Sequence, residues 1–596
     1  MNLNYKNNNI SYLSRCAIIG VLALGLQVTV DGRAMAQSAE SKTTSQQELS
    51  MVPCQEVPQL IQQFTADRRA INRFYIVNMS PEKRDRLISL YDQYLTALDG
   101  LDFNSLNQEC KVDYLLFKRN LNEYKRFAAK EEAEFNKVIS WFPFADSVYA
   151  LEKSRRRGAS VDAKQVAINW NNLVKEVGQL RDRFAESDTH FTTGEILTAK
   201  QTLGGLQKAL SSVYEFYDGY DPSFTWWAER PYKQLDSVLG QFAAQFDSKL
   251  PPADDNGIIS REPVGRDELV KLFTYEMIPY TPEEIYEIAQ KEMAWCDQEL
   301  VKASRELGFG DDWRKANEYV KDQYVDPGKQ PEAILRLYNE SIDFIKANDL
   351  ITIPPLAEET WGMMMMTPQR QRYTAFFTGG WEISISYPTN TMDIDQRMMS
   401  MRGNNPHFSR ATVHHELIPG HNLQFFMSDR YRTYRREFAT PFWMEGWALY
   451  WELLLWDKEF PKTPEDKIGM LFWRRHRCAR IIFSLNFHLG KWTPQQCIDY
   501  LVDEVGHERE NAISEIRGPL SAGTRGAPLY QIAYLLGGIQ MTHMRNELVE
   551  NGPLSYREFH DRIIKLNSMP MEMIRAVLTD QPLTKDYKTQ WRFYDE

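Results

Sequence analysis

Residues 87–98 read LISLYDQYLTAL, with Leu87, Leu90, Tyr91, Tyr94, Leu95 and Leu98 recurring every three or four positions. That spacing returns side chains to one face of a helix with 3.6 residues per turn and lacks the period-two alternation of a strand. Stripes of this kind run from residue 58 to 250, so this part is expected to be stacked amphipathic helices whose apolar faces make a core. A second helical series runs from Arg266 to about Leu307. Within it, Thr281-Pro282-Glu283-Glu284 supplies an N-cap, a proline at the first helical position and acids in the first turn. The turn-rich stretch Pro251 to Gly257 (PPADDNG) separates the two series and is the expected boundary. Tyr373 to Pro388 (YTAFFTGGWEISISYP) differs: aromatic and β-branched residues around two glycines predict a short strand or hairpin. The four methionines Met363 to Met366 read as adaptable core packing, or alternatively as a soft lining for apolar substrate side chains. The expected fold is mainly α: a two-lobed helical body around a groove, with a short β-sheet near the active site. Residues 37–250 are expected to form a helical lobe that walls the groove, and 258–596 the lobe that carries the chemistry.

The chain has 596 residues, 43% hydrophobic and 25% charged, which is ordinary globular composition and excludes a disordered, collagen-like or multi-span membrane protein. A net charge of -11 without a long basic run argues against a nucleic-acid partner. Lys6 and Arg15, the apolar run Cys16 to Val30, and Ala34-Met35-Ala36 follow the three-part layout of a secretory signal. Cleavage is expected near Ala36, leaving a bacterial periplasmic or secreted protein with no stable membrane span; the alternative is an uncleaved anchor. Export places the cysteines in an oxidising compartment, where Cys54 with Cys110 and Cys478 with Cys497 are candidate disulfides and Cys296 is left over. There is no CxxC pair, GxSxG elbow, P-loop or GxGxxG.

Ser409 to Phe425 (SRATVHHELIPGHNLQF) carries the chemistry. Zinc peptidases place two histidines and a glutamate on a helix as HExxH. The histidines then lie about 40° apart around the axis, and the glutamate acts as general base on the activated water. Here His415 and His421 are six apart, which on a regular helix directs them about 240° apart. His414 and His421 share a face, but roughly 10.5 Å of rise separates them. Pro419-Gly420 lies between. Proline removes a helix hydrogen bond and glycine permits unusual backbone, so a two-residue bulge there would return His421 to the second ligand position. The competing reading is a kinked structural helix. A third ligand is expected from TPFWMEGWALYWELLLWD, where Thr440-Pro441 starts a helix and Glu445 is an acid amid aromatic residues, costly unless paired or metal-bound. Two histidines and a glutamate leave a position for water, the catalytic rather than the structural arrangement. Glu452, on the same face, is expected to orient a ligand histidine.

In order along the chain, RMMSMRGNNPHFSRATVHHELIPGHNLQFF, TPFWMEGWALYWELLLWD, DEVGHERENAISEIRG and APLYQIAYLLGG resemble the signature segments of the bacterial domain of unknown function 885 family (DUF885), most strongly over residues 370–545. That family is itself similar to gluzincin-type zinc metallopeptidases. The resemblance implies a metallopeptidase-like fold and one Zn2+ per chain, held by His415, His421 and Glu445, with Glu416 as general base. The lengthened histidine spacing belongs to the family pattern. The expected function is hydrolysis of peptide bonds in short peptides, by a carboxypeptidase, dipeptidase or oligopeptidase. The alternatives are a non-catalytic exported peptide-binding protein and a zinc amidase acting on cell-wall peptides. A pure binding module has no need of Glu416.

A downstream tyrosine or histidine should stabilise the developing oxyanion. Tyr534 and His507 are the candidates, and Tyr530, one turn earlier, is the competitor. Arg402, Arg517 and Arg525 are candidates to receive a substrate carboxylate, with structural ion pairing as the bland reading. The Tyr373 to Pro388 strand is a candidate edge for a substrate backbone. The sequence leaves oligomeric state open.

Overall fold

The computed structural model describes residues 54–249, 262–371, 374–521 and 527–594. The expected signal, the Pro251 to Gly257 break and Arg525 lie outside them. The described residues from Cys54 onward belong to one compact unit. The fold is mainly α, as expected, and its one sheet among the described residues has two short strands.

The stripe at 87–98 lies on the helix Pro81–Asp99, with Leu90, Tyr91, Tyr94 and Leu98 buried and Leu87 and Leu95 at its margins. It packs with Glu56–Phe74 and Gln108–Val138 around Phe64 and Phe117. Ala163–Glu186, Thr193–Tyr217 and Pro222–Asp247 enclose a second core containing Trp170, Phe184 and Phe242. Thr281 caps Pro282–Glu306 through a reciprocal capping box with Glu284. Charge joins these helices to the later part of the chain. Arg435, fully buried, donates to Asp113 at 2.7 Å and Glu109 at 2.9 Å, where desolvation without such partners would be costly.

The four-methionine run is divided: Met366 packs in the core, as the core-packing reading expects, and the other three lie on a strand. That strand is Gly362–Met365 (β1), with Met364 and Met365 exposed and Met366, just past it, buried. β1 pairs in parallel with Glu382–Ile385 (β2), Met363 opposite Ile383. Thr378 bridges Ser384 of β2 from an antiparallel direction. Ser384 therefore has backbone partners on both sides. Cys54 and Cys110 form a disulfide. Cys478 and Cys497 do not: they sit on separate helices, the Cys478 thiol donating to the Arg474 carbonyl and the Cys497 thiol lying beside that of Phe483.

Six helices carry the site: Pro406–Glu416 (α1), His421–Ser428 (α2), Pro441–Asp457 (α3), Pro464–His488 (α4), Arg509–Ser521 (α5) and Ala527–Arg545 (α6). α3 is apolar nearly all round, the mark of an interior helix. It lies flat on α6 because glycines face each other there: a Cβ built on Gly446 would stand 2.7 Å from the Gly537 Cα. Gly446→Ala should push the helices apart at a cost of about 1–3 kcal/mol. Urea unfolding should show a lower midpoint for the variant, and unchanged stability would mean that the two helices have room to spare.

Candidate metal centre

α1 ends at Glu416 and α2 begins at His421, so the chain stops one helix and restarts another where a bulge was expected. The Gly420 N–H donates to the His414 carbonyl at 3.0 Å, and the Asn422 N–H to Leu417 at 3.1 Å. Gly420 is required by close approach: a Cβ there would fall 1.8 Å from the His415 carbonyl oxygen. The Trp447 indole on α3 donates to the Pro419 carbonyl at 2.8 Å and holds the turn against the third helix. The restart turns the His421 ring toward His415, with centroids 4.9 Å apart. His414 points away, edge-on to Phe460.

Glu445 on α3 meets both rings. Its Oε2 lies 3.6 Å from His415 Nε2 and 3.2 Å from His421 Nε2, and all three residues are buried. One ligand atom from each lies within 4.8 Å of the others. A tetrahedral zinc bound at 2.0–2.1 Å spaces its donors by roughly 3.3 Å, so the donor set fits that ion. Glu445 Oε2 faces the two imidazoles, while Oε1 accepts from the Tyr530 hydroxyl. The far nitrogens of both rings are engaged: His415 Nδ1 meets Glu452 Oε1 at 2.7 Å, as expected of Glu452, and His421 Nδ1 meets Gln424 Oε1 at 3.4 Å. These contacts leave each Nε2 facing the shared point.

The charges are interlocked. Burial alone would raise the Glu445 carboxyl, but the two imidazoles hold it well below the usual range. Burial likewise opposes Glu452, yet Arg477, 3.0 Å away, and His415 lower it to about 2. Burial pushes the His415 imidazole down, and the hydrogen bonds to Glu445 and Glu452 outweigh it, lifting the ring to about 9. Glu416 is raised by burial.

Glu416, the three donors, Tyr530 and Tyr534 line one cavity of about 470 Å³. The described residues that line it run from Thr374 to Tyr534. Thr374 and Phe376 to Gly379 form one side. Gly379 was hidden in the sequence as one of two mid-segment glycines. A Cβ there would stand 2.5 Å from Glu416 Oε2 and 2.4 Å from its carbonyl oxygen, so the bare backbone fixes where that carboxylate sits. Gln424, Arg477 and Arg480 were also missed, since nothing in their local sequence separates them from other polar helix residues.

The family described as "Bacterial protein of unknown function (DUF885)" matches residues 72–578. The chain belongs to this family. No curated protein matches it. Among solved structures, a candidate lipoprotein of unknown function from Shewanella oneidensis is similar at 15% identity and a TM-score of 0.63, covering 88% of this chain and 100% of that one. A candidate lipoprotein from Colwellia psychrerythraea is similar at 14% identity and a TM-score of 0.53, covering 88% of this chain and 98% of that one. At such identities the likeness shows a shared fold.

Two expected site residues of this DUF885 chain lie elsewhere. His507 is outside the cavity lining: it is buried against Phe376 and Phe472 and bonded at 2.8 Å to His476. Burial and that neighbour hold its ring neutral, but the layer between denies it substrate. Arg402 is spent on Glu318, Asp322 and Glu508 and does not line the cavity. Tyr534 stacks on the His415 ring at 6.0 Å beneath Arg477 and Arg480, while the competitor Tyr530 reaches Glu445.

Two outcomes follow for metal uptake. Glu452→Gln should weaken zinc binding roughly 10- to 100-fold, measured by competition with a chromogenic chelator. Because metal needs a neutral His415 ring, affinity should fall about tenfold per pH unit as pH drops below about 9, with one proton released per ion at pH 7. A flat profile from pH 6 to 9 would contradict that coupling.

Proposed function

We propose that this chain is an exported zinc metallopeptidase that hydrolyses peptide bonds in short peptides. The convergence of His415, His421 and Glu445 beside Glu416 in one cavity carries the reading. A zinc ion held by those three residues would supply Lewis acidity and lower the pKa of a water at the remaining position. Glu416 is the proton carrier: burial raises the proton affinity of its carboxylate, so it can take a proton from the attacking water and return one to the leaving amine. Gly379 keeps its carboxylate in register. The Tyr530 hydroxyl, which donates to Glu445 beside the donor set, is the donor for the developing oxyanion. Tyr534 is assigned a positioning role through its stack on His415.

A cavity of about 470 Å³ is in the range for small ligands and accommodates a few peptide residues. Export is supported by the signal-like N-terminus, the Cys54–Cys110 disulfide and the description of both structural relatives as candidate lipoproteins.

Glu416→Gln should retain about one zinc per chain and lose peptide hydrolysis at least roughly 100-fold, read by elemental analysis beside a peptide-library assay. Turnover at the parental rate would remove this mechanism. Tyr530→Phe should keep the metal and lower kcat roughly 100- to 1000-fold with little change in KM; an unaltered kcat would return the donor role to Tyr534.

A further inference from the structure

A second cavity, of about 680 Å³, lies against the first. Phe425, Met444 and Tyr530 belong to the walls of both. Since the Tyr530 hydroxyl rests on Glu445, the second cavity begins directly beside the metal-ligand cluster. Its remaining apolar surface comes from Trp381, Pro441 and Trp443. Trp381 is 50% exposed, so its ring stands at the mouth of the cavity as free apolar surface.

The amide and threonine side chains in these walls are already engaged. Gln424 Nε2 donates to the Trp443 carbonyl at 3.1 Å, Thr440 Oγ1 to Glu276 at 2.6 Å, and Asn567 Nδ2 to the Ser428 carbonyl at 3.0 Å. At the rim Asp429 and Arg436 pair with each other. The cavity therefore presents carbon surface and no uncompensated charge. A charged side chain entering it would lose hydration without a partner, whereas an aromatic or large aliphatic one would exchange water for apolar contact.

We propose that this cavity is the specificity pocket of the site, taking an aromatic or large aliphatic side chain of the substrate residue next to the scissile bond. The inference rests on the peptidase reading for its substrate class, but its test is made by binding and does not need turnover. Zinc-loaded Glu416→Gln protein would be titrated by calorimetry with two blocked tripeptides, N-acetyl-Ala-Phe-Ala-amide and its Asp analogue. The Phe peptide should bind roughly 10- to 100-fold more tightly. In the same background Ala439→Trp, an exposed rim position, should fill the cavity and erase the preference while leaving the Asp peptide's affinity unchanged. Trp381→Ala should reduce the preference several-fold. Equal affinity for the two peptides, or a preference that survives both substitutions, would overturn the proposal. Wild-type turnover is scored separately, on a library of peptides with free and with blocked termini. Preference without turnover would sink the catalytic reading and leave this pocket standing; turnover without preference would do the reverse.

Discussion

Everything around the centre answers one electrostatic problem: a carboxylate, Glu445, buried between two imidazoles in an apolar helix bundle. Removing such a group from water costs several kcal/mol unless charge and hydrogen bonds replace the hydration. The replacements come from four directions: His415, His421, Tyr530 and, through His415, Glu452. Each is fixed by a different helix or turn, so the centre exists only when α1, α2, α3 and α6 are all in place. The Gly446–Gly537 contact matters for that reason. It sets how close the helix bearing Glu445 comes to the helix bearing Tyr530.

The residues legible in the sequence were those whose chemistry conflicts with their surroundings. Glu445 and Glu452 are acids in a helix otherwise built of aromatic and aliphatic residues, and His415, Glu416 and His421 stand in an equally apolar stretch. Such conflict has few physical resolutions, and pairing at a polar centre is one of them. The helical stripes were legible because period alone fixes a face. Residues placed by tertiary approach were not. Gly379 is decided by how closely one segment crosses Glu416, and Gln424 by which way α2 points after the turn. The methionine run is a related case: four consecutive apolar residues have no period, so nothing local says that Met366 is buried and Met364 and Met365 exposed. Cys478 and Cys497 were close in sequence but lie on helices that hold their thiols against different carbonyls. His507 and Arg402 carried the right chemistry without any sequence signal for which layer they occupy.

The lengthened spacing between the histidines has a simple physical reading once the turn is seen. On a continuous helix only i,i+3 or i,i+4 pairs reach a common point. Here the first helix ends directly after Glu416, and Leu417 to Gly420 close the break with their own backbone hydrogen bonds. The cost of interrupting the ladder is thereby limited, and His421 becomes the first residue of a helix with its own direction. The spacing is then set by the turn and no longer by helical pitch.

The arginines of α4 extend the same logic outward. Arg477 holds Glu452, which holds His415, which faces Glu445; charge alternates along that path. Arg480, one turn on, holds Glu515, which meets His476, which meets His507. Both arginines lie over the Tyr534 ring, which itself stacks on His415. Tyr534 thus brings a π face to both guanidinium groups beside a ring that must be neutral when it binds a cation, while Arg477 also reaches that ring through Glu452. An apolar side chain there would place those charges against His415 with less screening by the aromatic face. A smaller one would admit water to the back of the ring and release its orientation. Bulk, planarity and a π face are all wanted at that point, which accounts for a half-buried tyrosine whose hydroxyl is not the group nearest the ligand carboxylate.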